Sequence, residues 1–312
     1  MRAYLYDEDR FPSGAAGGMV AADGRFRAQY LAFSPEPPPK EKLLAAFDVQ
    51  LDEKGYLIGY TPAEAETPCP GRWFAHCCCA EPRGRHNGHS YVDMLNPAAT
   101  RRFIALTHER YAAAVGEHFG TTIPSIFTDE PRFSYKQQLP SAFESKTIQM
   151  PWTDDLPETF AAAYHSDLLA QLPELFWELP AGRISKFRYQ YHEHVAERFA
   201  AAYADVVGAW CDQHGLLFTG HLMDESTLEK QSICLGEAMR SYRSFSLPGI
   251  DMLCHWHEYT TIKQCQSVVH QYDREGMMCE LYGVTGWDFD FRGHKLLGDW
   301  QAALGVTLRV PH

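Results

Sequence analysis

The feature that most constrains the fold is a regular alternation of apolar strands and helices over the last third of the chain. The segments "LLFTGH", "GIDMLCH", "MMCELYG" and "VTLRV" have the composition of buried strands, and a helical pattern separates each from the next. Taking His221, Cys254, Glu280 and Val310 as strand ends, the strands recur every ~26 to 33 residues. This spacing predicts βα units and a parallel sheet covered on both faces.

Two earlier segments, near residues 3 and 125, extend the count to six parallel strands. A chain of 312 residues is long enough for an α/β barrel, and such a barrel has eight strands. We therefore predict a (β/α)8 TIM-like barrel that lacks its first two βα units, because the sequence begins inside a strand. Residues 1–312 are predicted to form one partial catalytic barrel domain.

A different pattern interrupts the barrel at about residues 25–80. The segments "FRAQYLAF", "LLAAFDVQL", "GYLIGYT" and "RWFAHCC" alternate as antiparallel strands do, and "DEKG" supplies a hairpin turn in which Gly55 takes a positive φ. We predict a β-rich insertion here that rims the active site. The stretch that follows the parallel strand near residue 125 and extends to about residue 156 is predicted to be a loop.

Composition excludes several classes of partner. The net charge is −12 and no run of Lys or Arg occurs, so nucleic acid is not expected as a partner. No stretch of about 18 apolar residues occurs, so no membrane span is expected. The N-terminus lacks signal-peptide architecture, which predicts a cytoplasmic location provided that the natural chain begins at Met1.

Polar residues concentrate where the predicted strands end. The stretch "IPSIFTDEPRF" runs as a buried strand into two adjacent acids, and other strand ends carry acids, histidines or an aromatic residue. Active sites of parallel α/β folds lie at this end of the strands. The candidate site residues on this basis are Asp7, Glu8, Asp129, Glu130, His221, Glu225, His255, Glu280 and Tyr282.

Glu130 and Glu280 form the sharpest pair among these residues. Glu280 ends the third strand after the one that Glu130 ends, which in an eight-stranded barrel sets the two side chains across the mouth from each other. Cleavage of a glycosidic bond needs such a pair, one carboxyl to protonate the leaving oxygen and one to attack or to activate water. Trp287 and Tyr282 could stack on a sugar, and packing in the core is the alternative for such aromatic residues. The alternative for these acids is ion pairing or helix capping.

A family resemblance supports this interpretation. The segments "YLYDEDRFPSG", "YVDMLNPAATRRFIALTHERY", "SIFTDEPRF", "TGHLMDES", "PGIDML" and "CELYGVTGW" together resemble the catalytic barrel of glycoside hydrolase family 106, the α-L-rhamnosidases. The resemblance implies a carbohydrate substrate, an inverting mechanism with Glu130 as acid and Glu280 as base, and a bound calcium whose ligands it does not identify. The motif "YVDMLN" adds Asp93 to the substrate-binding candidates.

Two other functions fit the same residues. One is a retaining β-glycosidase, in which Glu280 is the nucleophile; the separation of the two carboxyl groups distinguishes retention from inversion. The other is a barrel that binds carbohydrate without cleaving it, and this predicts sugar binding that survives Glu130→Gln.

Overall fold

The strands of the chain form two separate sheets. The computed structural model describes residues 2–39, 42–63, 69–254 and 256–312. The strands are β1 (Tyr4–Tyr6), β2 (Gln29–Ser34), β3 (Leu43–Leu51), β4 (Leu57–Pro62), β5 (Arg72–Cys79), β6 (Ser125–Asp129), β7 (Ile148–Trp152), β8 (Leu217–His221), β9 (Leu247–Met252), β10 (Met277–Leu281) and β11 (Val306–Pro311). The α-helices are α1 (Pro97–Leu106), α2 (His108–Val115), α3 (Leu156–Tyr164), α4 (Lys186–Phe199), α5 (Asp205–Gln213), α6 (Leu228–Cys234), α7 (Ala238–Tyr242), α8 (Tyr259–Gln271) and α9 (Phe291–Ala303).

The first sheet is parallel and has the order β1-β6-β8-β9-β10-β11. Each neighbouring pair runs parallel, and the spatial order follows the order along the chain. The six predicted parallel strands are therefore confirmed in position and direction. Helices α8 and α9 pack on β9, β10 and β11, while α5 packs on β8.

The prediction of a (β/α)8 barrel is wrong. Within the described residues the parallel sheet has six strands and forms a half-barrel, with β1 and β11 each paired on one side only. A cavity of about 310 Å³ lies between these two edges. Tyr4 and Tyr6 of β1 line it on one side, and Leu308 and Val310 of β11 line it on the other. The βα spacing along the sequence is common to open and closed sheets, because closure depends on pairing between the first and last strands.

The second sheet is antiparallel and has the order β4-β3-β5-β2-β7. Its first four strands lie where the alternating segments between residues 25 and 80 predicted strands. The fifth, β7, comes from the stretch after β6 that was predicted to be a loop. Pro151 breaks the strand pattern of "IQMPW", but β7 is an edge strand, where a residue without an N–H group is tolerated.

The local prediction of a turn at Gly55 is also confirmed, and the structure adds a helix cap at Asn96. Gly55 has a φ of +85°, and the Asp52 side chain accepts hydrogen bonds from the N–H groups of Lys54 and Tyr56, both at 2.9 Å. The side chain of Asn96 accepts a hydrogen bond from Ala98 N at the start of α1. None of the helices in the described ranges is both long and apolar enough to cross a bilayer.

Close approach of β6, β8 and β9 depends on two glycines. Gly220 has a φ of +122°, and a Cβ atom there would lie 1.9 Å from the carbonyl oxygen of Thr128 on β6. On β9, a Cβ atom at Gly249 would lie 2.5 Å from the carbonyl oxygen of Gly220. Gly220 directly precedes His221 at the end of β8, so a side chain at Gly220 would push apart two of the strands that carry the site.

We expect Gly220→Ala to lower the free energy of unfolding by about 3 kcal/mol, because it adds overpacking to an unfavourable φ. Denaturant unfolding followed by tryptophan fluorescence measures the change. Gly24→Ala is the matched control, since a Cβ atom at Gly24 meets nothing within 4 Å. Equal stability of the two variants would contradict the close packing of β6 against β8.

Candidate functional site

Acidic and imidazole side chains gather at the carboxyl ends of four consecutive strands of the parallel sheet. Asp129 ends β6 and is in register with His221, which ends β8. Asp251 on β9 is in register with Glu280 on β10. In a parallel sheet all these strand ends meet at one edge, where ligands bind in such folds.

His221 occupies the centre of this group. Its Nε2 atom lies 2.8 Å from Oε2 of Glu280 and 3.5 Å from Oδ1 of Asp129, and only 1% of the side chain is exposed. Burial lowers the pKa of His221, but the hydrogen bond to Glu280 and the charges of Asp129, Asp251 and Glu225 outweigh it and raise the pKa to about 10. This upward shift of the pKa favours the imidazolium form of His221 at neutral pH.

Glu280 is ionised because of this imidazolium. Burial raises the pKa of the Glu280 carboxyl, yet the hydrogen bond from His221 and the charges of His221 and His312 outweigh burial, so that the net shift is downward. His312 Nδ1 lies 3.5 Å from Oε1 of Glu280. A carboxylate held in this way is suited to act as a base or a nucleophile.

Glu130 lies next to the same imidazolium but has the opposite shift. Its backbone N–H donates to the carbonyl oxygen of His221 at 3.1 Å, and its φ is +49°, an uncommon value for a residue with a side chain. Burial raises the pKa of Glu130 to about 7; the charge of His221 opposes this shift, and the charges of Asp129, Asp251 and Asp224 add to it. Among the described residues, no group donates a hydrogen bond to its carboxyl oxygens.

Asp129 is fixed from both sides. The Tyr6 hydroxyl donates a short hydrogen bond to Oδ2 of Asp129, and the Tyr6 ring stacks on Phe127 with centroids 5.6 Å apart. On the backbone side, Asp129 N donates to Ser13 Oγ at 2.8 Å, and Ser13 N donates to Asp129 O at 2.7 Å. Burial, opposed by the charge of His221, raises the pKa of Asp129.

The predicted residue Asp7 is buried and its neighbour Glu8 is half-buried, and both are hydrogen-bonded within the protein. Asp7 is 1% exposed and accepts hydrogen bonds from Ser13 Oγ at 2.7 Å and from the Tyr203 hydroxyl at 3.4 Å. The carboxylate of Glu8 accepts the N–H groups of Ala15 and Gly17, at 3.2 and 3.3 Å. Burial raises the pKa of both acids. Both carboxylates therefore brace the loop that follows β1.

Asp93 and Glu225 are also buried and internally bonded. The Thr153 hydroxyl donates to Asp93 at 2.6 Å, and Leu95 N donates to it at 3.0 Å. Glu225 accepts a short hydrogen bond from the Tyr242 hydroxyl and one from Asp251 N at 3.0 Å. Glu225 thus connects the loop after β8 to the strand that carries Asp251.

Three further predicted residues follow β9 or β10 in the sequence. Tyr282 is buried, and its hydroxyl donates to the carbonyl oxygen of His294 at 3.1 Å. The Trp287 side chain is fully exposed. His255 lies outside the described residues. Contact of these three residues with a substrate stays a prediction.

The sequence interpretation missed Asp251. This residue lies inside the strand "LPGIDM", and the strand end had been assigned to Cys254. Burial raises the pKa of Asp251 to about 6, opposed by the charge of His221 and reinforced by those of Glu280 and Asp129. The Oδ1 atom of Asp251 and the Nδ1 atom of His221 are both buried without a hydrogen-bond partner. An acid inside an otherwise apolar strand is the signal that could have identified it.

The site contains two groups that could hold a cation by proximity alone. One is Asp129, His221 and Glu280, the other is Glu130, His221 and Asp251, and within each group the nearest ligand atoms lie within 4.8 Å of one another. Calcium takes about six to eight oxygen ligands, whereas each group includes an imidazole nitrogen and two carboxylates. These donor sets do not fit calcium, and calcium binding stays a prediction from the resemblance alone.

The fold resembles that of a solved rhamnosidase from Novosphingobium sp. PP1Y. The two chains superpose with a TM-score of 0.57 at 18% sequence identity, over 81% of this chain and 24% of the rhamnosidase. The chain thus spans about a quarter of the length of that enzyme. No protein-family model matches the sequence, and no curated protein matches it. The family predicted from the motifs is therefore not confirmed, and the similarity concerns the fold.

Proposed function

We propose that the chain carries the active site of a glycoside hydrolase, with Glu130 as the general acid and Glu280 as the opposing base or nucleophile. One observation carries the proposal. Two carboxyl groups adjoin the same imidazolium, and their pKa values are displaced in opposite directions, upward to about 7 for Glu130 and downward for Glu280. A protonated acid beside an ionised carboxylate is the arrangement that glycosidic bond cleavage requires.

His221 has a positioning role in this proposal. Its charge keeps Glu280 ionised, and its hydrogen bond at 2.8 Å fixes the orientation of the Glu280 carboxylate. The proton on Glu130 passes to the glycosidic oxygen as that bond breaks. The carboxylate of Glu280 either attacks the anomeric carbon or removes a proton from the attacking water. Asp129 and Asp251 border the same space and are proposed to accept hydrogen bonds from sugar hydroxyls.

The fold of the solved rhamnosidase makes an α-L-rhamnoside the first substrate to test. A panel of aryl glycosides that begins with aryl α-L-rhamnoside identifies the sugar, and NMR of the first product identifies the anomer released. Inversion agrees with Glu280 as a base and retention with Glu280 as a nucleophile. If the chain binds sugar but hydrolyses none of the glycosides in the panel, the enzymatic proposal is contradicted.

The pH dependence of kcat/KM follows from the two shifts. Glu130 must be protonated, so activity should fall as the pH rises through about 7. Glu280 must be ionised and its pKa is lowered from 4.5, so activity should fall only below about pH 4.5. We expect a bell-shaped profile with its plateau between about pH 5 and 6 and about half of the maximal activity near pH 7. A plateau that extends above pH 9 would contradict Glu130 as the acid.

A further inference from the structure

A second cavity lies between the antiparallel sheet and the loops that follow β1 and β6. Its volume is about 400 Å³, and its wall includes Tyr30 of β2 and Pro12 of the loop after β1. Arg132 and Tyr135 also line it, from the segment that begins two residues after Glu130. The charge of Glu130 is close enough to act on the Tyr135 hydroxyl. Arg132 thus connects the wall of the cavity, along the chain, to the strand end that carries the proposed acid.

The wall of this cavity is positively charged, although the whole chain has a net charge of −12. Arg83, Arg85 and Arg132 line it, against Glu81 as the acidic lining residue in the described part of the chain. None of the three guanidinium groups forms an ion pair with a carboxylate of the described residues. Burial, and then the charges of these three and of Arg10, lower the pKa of the lining residue His86. The arginines thus act together on one small volume.

Arg132 is held in place by aromatic rings and keeps donor groups free. Its guanidinium carbon lies 4.3 Å from the ring centroid of Tyr135 and 5.3 Å from that of Tyr91. Tyr91 is itself fixed, since its hydroxyl donates to Ser13 O at 2.6 Å. Nε of Arg132 is buried and one terminal nitrogen donates to Phe133 O at 3.1 Å, so the other terminal nitrogen has no hydrogen-bond partner among the described residues. A planar fork of donors fixed in this way matches the two oxygens of a carboxylate or sulfate group.

We propose that this cavity, lined by Arg83, Arg85 and Arg132, is a subsite for an acidic substituent on the leaving-group sugar, either a uronic acid carboxylate or a sulfate ester. The assignment rests on the proposed function, because the sugar that departs lies on the side of the group that protonates it. The substrate class is then an acidic glycan, in which the scissile bond lies beside Glu130 and the acidic group enters the arginine-lined cavity.

Isothermal titration calorimetry on the 312-residue chain tests the subsite without requiring hydrolysis. The probes are galacturonate, galactose 6-sulfate, neutral galactose and inorganic sulfate. We expect at least one acidic sugar to bind about tenfold more tightly than galactose, with affinity that falls as salt is added. The tighter of the two identifies the acidic group as carboxylate or sulfate ester.

Variants assign the binding to this cavity. Arg132→Gln should weaken binding of the acidic sugar about tenfold, and Arg132→Lys should restore part of it, because Lys keeps the charge but not the fork. Arg83→Gln and Arg85→Gln are exposed substitutions that test the same cavity if Arg132→Gln does not fold. Arg110→Gln, an exposed arginine on α2, is the matched control and should change nothing.

Three results would overturn the subsite. The first is equal affinity for galactose and both acidic sugars, and the second is binding of the acidic sugar that the cavity variants leave unchanged. The third is inorganic sulfate that binds as tightly as the acidic sugars, which would indicate a site for free anions. Failure of the proposed function is distinguishable from these. A chain that binds acidic sugar through Arg132 but cleaves no glycoside contradicts the hydrolase proposal alone, and one that cleaves glycosides without such binding contradicts the subsite alone.

Discussion

Replacing Glu130 by Gln should lower kcat/KM about 1,000-fold on a glycoside with a poor leaving group, because general acid catalysis contributes about 10² to 10⁴ in rate. A carboxamide has nearly the shape of the carboxyl group but cannot transfer its proton to the leaving oxygen. An aryl glycoside with a good leaving group needs little protonation and should lose less than about tenfold. Steady-state kinetics on the two substrates measure the difference.

Two controls separate this effect from damage to the fold. Glu144→Gln removes an exposed carboxylate from the loop before β7 and should leave both rates unchanged. The alkaline limb of the pH profile should also disappear in Glu130→Gln with the activated substrate, since the group that loses its proton near pH 7 is gone. An equal loss on both substrates would contradict a proton-donating role for Glu130.

The central residues of the candidate site could be predicted from the sequence because their signal is local. An apolar run that ends in an acid or a histidine identifies a strand end, and parallel strands bring such ends to one edge. Asp129, Glu130, His221 and Glu280 were found in this way, and the structure brings all four together around the imidazole of His221. The motif alone does not reveal that the two glutamates have opposite pKa shifts, because the shifts arise from burial and from His221.

Other features depend on residues far apart in the chain. Asp7 has the same strand-end signal as Asp129, but Ser13 and Tyr203 cover it, and the Tyr203 hydroxyl comes from a position 196 residues away. In the same way, Tyr242 covers Glu225. Whether a strand-end acid faces solvent or a buried hydroxyl is decided by the loops and helices that pack over it, and no short motif records that packing.

The extent of the sheets could not be predicted for a related reason. Strand positions follow from periodicity, whereas pairing between distant strands does not. β7 joins the antiparallel sheet by pairing with β2, more than 100 residues earlier in the sequence, in a segment whose proline is typical of a loop. No local pattern specifies either whether β1 and β11 pair with a further strand, and within the described ranges each of them is paired on one side only. Counting six βα-like strands therefore led to the prediction of an eight-stranded barrel that lacks two units, whereas the described residues form a six-stranded half-barrel.

Glu280→Gln should reduce hydrolysis of activated and unactivated glycosides alike, by about 1,000-fold or more. The step that Glu280 performs, attack or activation of water, is needed whatever group departs. In the unsubstituted protein the hydrogen bond between His221 and Glu280 is 2.8 Å long. The fold of the variant should survive, because the carboxamide oxygen of Gln can still accept this hydrogen bond. Glu275→Gln is the matched control, since Glu275 is exposed just before the opposite end of β10. Loss of activity on both substrates, with an unchanged midpoint of thermal unfolding, would support the assignment. Activity retained on either substrate would instead transfer the role of the base to Asp129 or Asp251.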